Sequence, residues 1–233
     1  MDRDAYLDHL AADIERFAAA LERGPLDAPV PWCGEWTVAD LGEHLGGVHR
    51  WATGIAVGRR DMPADPAPAD GSGMAAWMRA GGLALLDALG ALDPDATVWN
   101  PFPVDKVGAV WPRRQAQETS VHRWDVERAI GLDPSIDPAL AADGIDEYFW
   151  LALPRLMARE GVEAPEQSLL VRTTDTGDEW HVAAADGAIV EAGGEPSTTM
   201  IGTAPDVLLA LWRRPAGAIT VVGDDAWLDL GGI

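Results

Sequence analysis

Cysteine is almost absent from this 233-residue chain. Cys33 stands alone, so no disulfide can close within the chain and no cysteine cluster can hold a metal. With one cysteine in the chain, any thiol chemistry is expected to borrow its thiol from outside. Lysine is as scarce, Lys106 being the only one, and 17 Lys plus Arg face 38 Asp plus Glu for a formal charge of -21. Such a chain repels phosphate backbones and anionic membrane surfaces, so neither nucleic acid nor membrane is an expected partner. The same acidity suits solubility and the Ala-, Gly-, Pro-, Asp- and Arg-rich style of a GC-rich coding sequence. No apolar run approaches the roughly 18 residues that would span a bilayer. The acidic start, Met1 to Asp8, runs into a helical pattern without an apolar signal stretch, so a cytoplasmic location is expected.

What is present is helical periodicity through the first 160 residues. Tyr6, Leu10, Ile14, Phe17 and Leu21 predict an amphipathic helix over 3–22 that stops at Gly24. Thr37 is a good N-cap for a second helix, with Asp40 at the capping-box position and Trp36 and Leu41 as a staple. Residues 61–71 are a Pro-rich loop, and a third helix is expected from Ser72 to Leu92, weakened in its middle by Gly81 and Gly82. The irregular stretch from Asp93 to Val110 suits the wall of a site. Pro112 at an N1-like position and Gly131 bracket a fourth helix. Asp137 and Pro138 start a fifth, which reaches about Arg159 and is bent or broken by Pro154.

From Gln167 the period changes. Residues 169–174 and 179–183 read as a hairpin, with further strands at 188–191, 198–202 and 218–222 and a short helix from Val207 to Trp212 capped by Thr203 to Asp206. The expected fold is a four-helix bundle over 1–135, a connecting helix over 136–162, and a small α+β domain with a mostly antiparallel sheet over 163–233.

Glu118 and His122 are the chemistry-bearing pair. Four residues apart on a helix, they lie on one face and can converge on a metal ion, which then needs a third ligand. His9, at the edge of its helix stripe, reads as a part-exposed surface residue. His181, in a strand with Trp180 and Val182 pointing the other way, reads as solvent-facing. His44 sits in the stripe Leu41, His44, Leu45, Val48, Ala52, Ile55 and is expected to face the core. His49 lies about 140° around the same helix, so the two cannot serve one site. Val48-His49-Arg50-Trp51 recurs as Val121-His122-Arg123-Trp124, which speaks for His49, but without flanking similarity. At this level the choice stays open: His44 reads equally well as a core histidine bonded to a carbonyl, and Glu118 as half of an i,i+4 ion pair with Arg114. Arg213 and Arg214, at the end of the last helix, read as dipole complements or as an anion clamp.

Taken together, Cys33 with Trp36-Thr37-Val38-Ala39-Asp40-Leu41 and His44-Leu45, then Glu118-Thr119-Ser120-Val121-His122-Arg123-Trp124-Asp125, then Gly202-Thr203-Ala204-Pro205-Asp206 to Trp212-Arg213-Arg214-Pro215 and Val222-Gly223-Asp224, resemble the mycothiol-dependent maleylpyruvate isomerase family of actinobacteria. The resemblance implies a DinB-like metal-binding bundle followed by a sterol-carrier-like domain, and a metal triad of His44, Glu118 and His122. It also implies an arginine near the metal at Arg213 or Arg214, and mycothiol as cosubstrate for a small-molecule electrophile, maleylpyruvate going to fumarylpyruvate in the family's type reaction. A site of two histidines and one carboxylate leaves coordination positions open, and zinc is the leading divalent metal. Asp125, a turn beyond His122, would orient a ligand or handle protons. Gly34-Glu35 stands where family members often have Pro-Gly. The expected assembly is a monomer or small homo-oligomer. The rival readings are a metal- and thiol-binding regulator without turnover and a purely structural bundle.

Overall fold

Asp2 sets the first helix, its carboxylate accepting from the Ala5 N–H at 2.9 Å, and α1 runs Arg3–Arg23 with Leu10, Ile14 and Phe17 fully buried. In the computed structural model, which describes residues 1–59, 65–69 and 71–230, the chain divides into two compact units: Met1–Asn100 with Asp105–Ser135, and Pro101–Val104 with Ile136–Ile233. Residues 61–64 and 70 of the Pro-rich 61–71 segment lie outside the described residues.

The first unit is the helical bundle. Thr37 caps α2 (Val38–Ala56) through a full capping box: its hydroxyl accepts from the Asp40 N–H and the Asp40 carboxylate accepts from the Thr37 N–H. Helices α3 (Met74–Ala91) and α4 (Val110–Ala129) complete it, with α1 and α2 each packed against both. Pro112 is the third residue of α4, not the first; it still falls in the opening turn, where its missing N–H has no intrahelical acceptor. Gly131 follows the helix end at φ 83°, the left-handed stop expected of it.

Gly81 and Gly82 do not mark a weak point. They are where α3 comes closest to its neighbours: a side chain at Gly82 would run into Ile14 of α1, and one at Gly81 into the Arg50 guanidinium of α2. Between α1 and α4 a buried charge network fixes the register. Arg123 donates to Asp13 at 3.1 Å and to Glu127 at 2.9 Å, and Arg16 donates to the same Glu127 through two nitrogens at 2.9 and 2.8 Å. No described helix is long and apolar enough to cross a membrane.

The second unit opens with α5 (Pro138–Glu147), capped by Asp137, which packs against α7 (Ala204–Leu211). Residues 136–162 thus lie within this unit. The break expected at Pro154 takes the form of a π-helical segment, Tyr148–Ala152, leading into α6 (Leu153–Glu160). Pro154 has no N–H to give, and the Leu153 N–H reaches back five residues to the Tyr148 carbonyl. The sheet has the order β3-β2-β1-β4-β5, formed by β1 (Leu169–Thr173), β2 (Glu179–Ala185), β3 (Ala188–Glu191), β4 (Thr198–Gly202) and β5 (Thr220–Val222). Only the β1/β4 pair is parallel. Asp186 and Gly187, both at positive φ, make the two-residue turn between β2 and β3. Fold class and sheet character are as the sequence predicts.

Candidate metal centre

Helices α2 and α4 run antiparallel and present His44, Glu118 and His122 to one another. The Glu118 Oε1 atom lies 3.4 Å from His44 Nε2 and 3.5 Å from His122 Nε2, and the three donor atoms all fall within 4.8 Å of each other. The imidazoles meet edge to face with ring centroids 5.2 Å apart. Trp36, just ahead of the α2 cap, lies against the His44 ring at 4.8 Å. His122 is buried, whereas the side chains of His44 and Glu118 are 31% and 23% exposed, so a ligand can approach from their side.

That exposure corrects the sequence reading of α2. His44 was expected to face the core; it lies at the rim of the packed face, and His49 is the histidine fully buried within it. The reason is glycine. Gly42 sits against Leu21 and Met74, and a side chain at Gly46 would collide with the Trp77 ring. The face that packs therefore extends from Leu41, Leu45, Ala52 and Ile55 across Gly42, Gly46, His49 and Thr53, and its middle is shifted away from His44. His49 Nε2 pairs with Thr119 Oγ1 at 2.9 Å, and burial lowers its pKa to about 3.

On α4 the electrostatics are tightly specified. Burial alone would raise the Glu118 pKa; the charge of Arg114, then hydrogen bonds with His122 and His44, more than offset it and hold the carboxyl well below the usual carboxylate range. Arg114 donates to Glu118 Oε2 at 2.7 Å, so the i,i+4 pair exists alongside the histidine contacts and leaves Oε1 to them. For His122, burial lowers the pKa, but hydrogen bonds to Asp125 and then Glu118 raise it above the ordinary value.

Asp125 is fully buried, not an exposed helix residue. Its Oδ2 lies 2.9 Å from His122 Nδ1 and accepts from the Cys33 thiol at 3.6 Å. Cys33, His122 and Asp125 form a second grouping of possible ligand atoms, which shares His122 with the first. Nothing in the spacing of Cys33 signals that it touches Asp125.

The other candidates fall elsewhere. His9 is half-buried on α1. His181 is not solvent-facing: on β2, an interior strand, it is half-buried, with a buried Nε2 that has no hydrogen-bond partner among the described residues. Arg213 and Arg214 belong to the second unit, just past α7. Arg213 is exposed at φ 60°, in the left-handed position that follows a helix end, while Arg214 is buried and donates to the Trp212 carbonyl at 2.8 Å.

Residues 7–127 match the family model described as the mycothiol maleylpyruvate isomerase N-terminal domain. The chain belongs to this family. Two Mycobacterium tuberculosis relatives, uncharacterized proteins MT0763 (strain CDC 1551 / Oshkosh) and Rv0738 (strain ATCC 25618 / H37Rv), are each 30% identical over 148 residues, covering 60% of this chain and 75% of theirs. Among solved structures, the crystal structure of the mycothiol-dependent maleylpyruvate isomerase superposes with a TM-score of 0.65 at 11% identity, over 95% of this chain and 93% of that one. The same enzyme with one histidine replaced by alanine superposes equally well at 10% identity. At such identities the likeness is one of fold, and it extends beyond the bundle that the family model covers.

Proposed function

We propose that this protein is a metal- and mycothiol-dependent isomerase or thiol S-transferase acting on a small electrophile. The observation that carries the reading is the convergence of two imidazole nitrogens and an ionised carboxylate oxygen within 4.8 Å, part open to solvent, in a chain of this family. The donor set fits a divalent ion of the zinc type, held by His44, Glu118 and His122 with positions to spare. When bound there, such an ion lowers the pKa of a coordinating thiol and supplies a nucleophile at neutral pH.

The chain's own residues prepare that site. Asp125 holds the proton of His122 on Nδ1, which leaves Nε2 as the donor and fixes the ring. Arg114 keeps Glu118 anionic and occupies Oε2. Cys33 is buried against Asp125, which supports an external thiol as the nucleophile.

The reaction is addition and elimination. A thiolate sulfur bonds to one carbon of a cis double bond and the π pair shifts toward the conjugated carbonyl as an enolate. The former double bond rotates, and return of the pair expels the thiolate and leaves the trans isomer. In a transfer reaction the enolate takes a proton and the thioether stays.

Metal analysis with and without added zinc, followed by turnover of maleylpyruvate with mycothiol, tests the proposal. One ion per chain is expected, lost in His44→Ala and His122→Ala and bound about 10- to 100-fold more weakly in Asp125→Asn. Stoichiometry unchanged by the histidine substitutions would sink the site. A zinc-loaded protein that turns over neither maleylpyruvate nor a panel of electrophiles would leave a binding protein in place of the enzyme.

A further inference from the structure

Two large aromatic side chains stay open to solvent on the face that carries the triad. Trp51 of α2 is 44% exposed and Trp99, in the loop before α4, is 40% exposed. Their rings meet edge to face at 6.2 Å, and Trp51 also rests on the fully buried Trp111 of α4 at 5.2 Å. The Trp111 indole N–H is buried with no acceptor among the described residues, which is uncommon in a native fold.

Position ties this platform to the metal centre. Trp51 follows His44 by seven residues and Trp111 precedes Glu118 by seven, so each tryptophan lies within about 20° of the ligand on its own helix and two turns, about 10.5 Å, along it. The α2/α4 seam therefore carries the triad at one level and the indoles at another.

We infer that the Trp51–Trp99 platform is the subsite for the ring portion, a sugar or cyclic polyol, of the thiol cosubstrate; this rests on the thiol-dependent reading above. Mycothiol joins its cysteine by an amide to an amino sugar that carries inositol. Five bonds separate the sulfur from the first ring, a span of roughly 6 Å, and the two rings cover the distance beyond it. With its sulfur at the triad, the ring portion reaches the indoles. Such rings have C–H faces that shed water onto an aromatic surface while their hydroxyls stay at the edge, so an indole pair binds an uncharged polyol without an ion pair.

The test is calorimetric titration of the zinc-loaded full chain with mycothiol and with N-acetylcysteine, which has the thiol but no ring. Trp51→Ala and Trp99→Ala are expected to weaken mycothiol about five- to ten-fold and to leave N-acetylcysteine and metal content unchanged, with Trp51→Phe recovering part of the loss. Equal weakening of both thiols, or of neither, overturns the subsite. A Trp51→Ala protein that changes its sedimentation while keeping its mycothiol affinity assigns the indoles to a contact between chains and also overturns it. Failure of both thiols to bind the wild-type zinc protein defeats the thiol reading itself.

Discussion

His49 and His122 lie on facing helices and are both buried, yet their protonation is pushed in opposite directions. His122 has carboxylates at both ring nitrogens, Asp125 at Nδ1 and Glu118 at Nε2, and they overcome the burial that would neutralise it. The His49 ring meets only the Thr119 hydroxyl among the described residues, and burial wins, leaving it neutral with a pKa of about 3. The difference bears on stability. A histidine with a folded pKa depressed below its unfolded value of about 6.5 contributes fully above that pH, and the contribution drains away as the pH falls toward 3, because only the unfolded chain takes up the proton. Guanidinium unfolding of metal-free wild type should thus be steeper in pH between about 6.5 and 4 than that of His49→Gln, by one proton or about 1.4 kcal/mol per pH unit. Parallel curves for the two proteins would mean that His49 protonates in the folded state. At this scale the i,i+4 spacing of Glu118 and His122 was legible, because helix geometry alone brings them together. The burial of Asp125 was not, because it depends on what covers α4, and fifteen of that polar helix's twenty residues are buried.

At the scale of elements, small residues explain how α2 sits. Large apolar residues are what a periodicity argument counts, so it points α2 along Leu41, Leu45 and Ile55 and carries His44 inward. The packed face also includes Gly42 and Gly46, invisible to such counting, and the Trp77 ring lies where a side chain at Gly46 would be. Gly46→Ala is expected to destabilise by about 1–3 kcal/mol through overpacking at the α2–α3 contact. Gly47→Ala, one residue on, meets nothing within 4 Å and should stabilise by about 0.5–1 kcal/mol by removing unfolded-state freedom. Thermal melts of the two variants decide it, and equal shifts of the same sign would refute the packing account. Element boundaries were otherwise well marked, since caps are local chemistry: Asp2, Thr37, Asp137 and Thr203 each accept from a backbone N–H in the first turn of their helix. The close approaches at Gly46 and Gly82 and the membership of α5 in the second unit were not marked, because both are tertiary facts.

For the molecule as a whole, the dominant long-range feature is its charge of -21. The type substrate of the family is a dicarboxylate, so the protein's field opposes the ligand that its site is proposed to take. The cation beside the triad, Arg114, acts only at short range and is already paired with the Glu118 carboxylate. Salt screens the distant repulsion before it touches the buried contacts: the Debye length shrinks from about 30 Å at 0.01 M to about 8 Å at 0.15 M. It follows that kcat/KM for an anionic electrophile should rise several-fold over that range, the reverse of ordinary electrostatic steering, whereas an uncharged electrophile such as N-ethylmaleimide should respond little. Steady-state rates with both electrophiles on zinc-loaded protein give the comparison. A fall with salt for the anion alone would show that the local arginine field, and not the net charge, governs its approach.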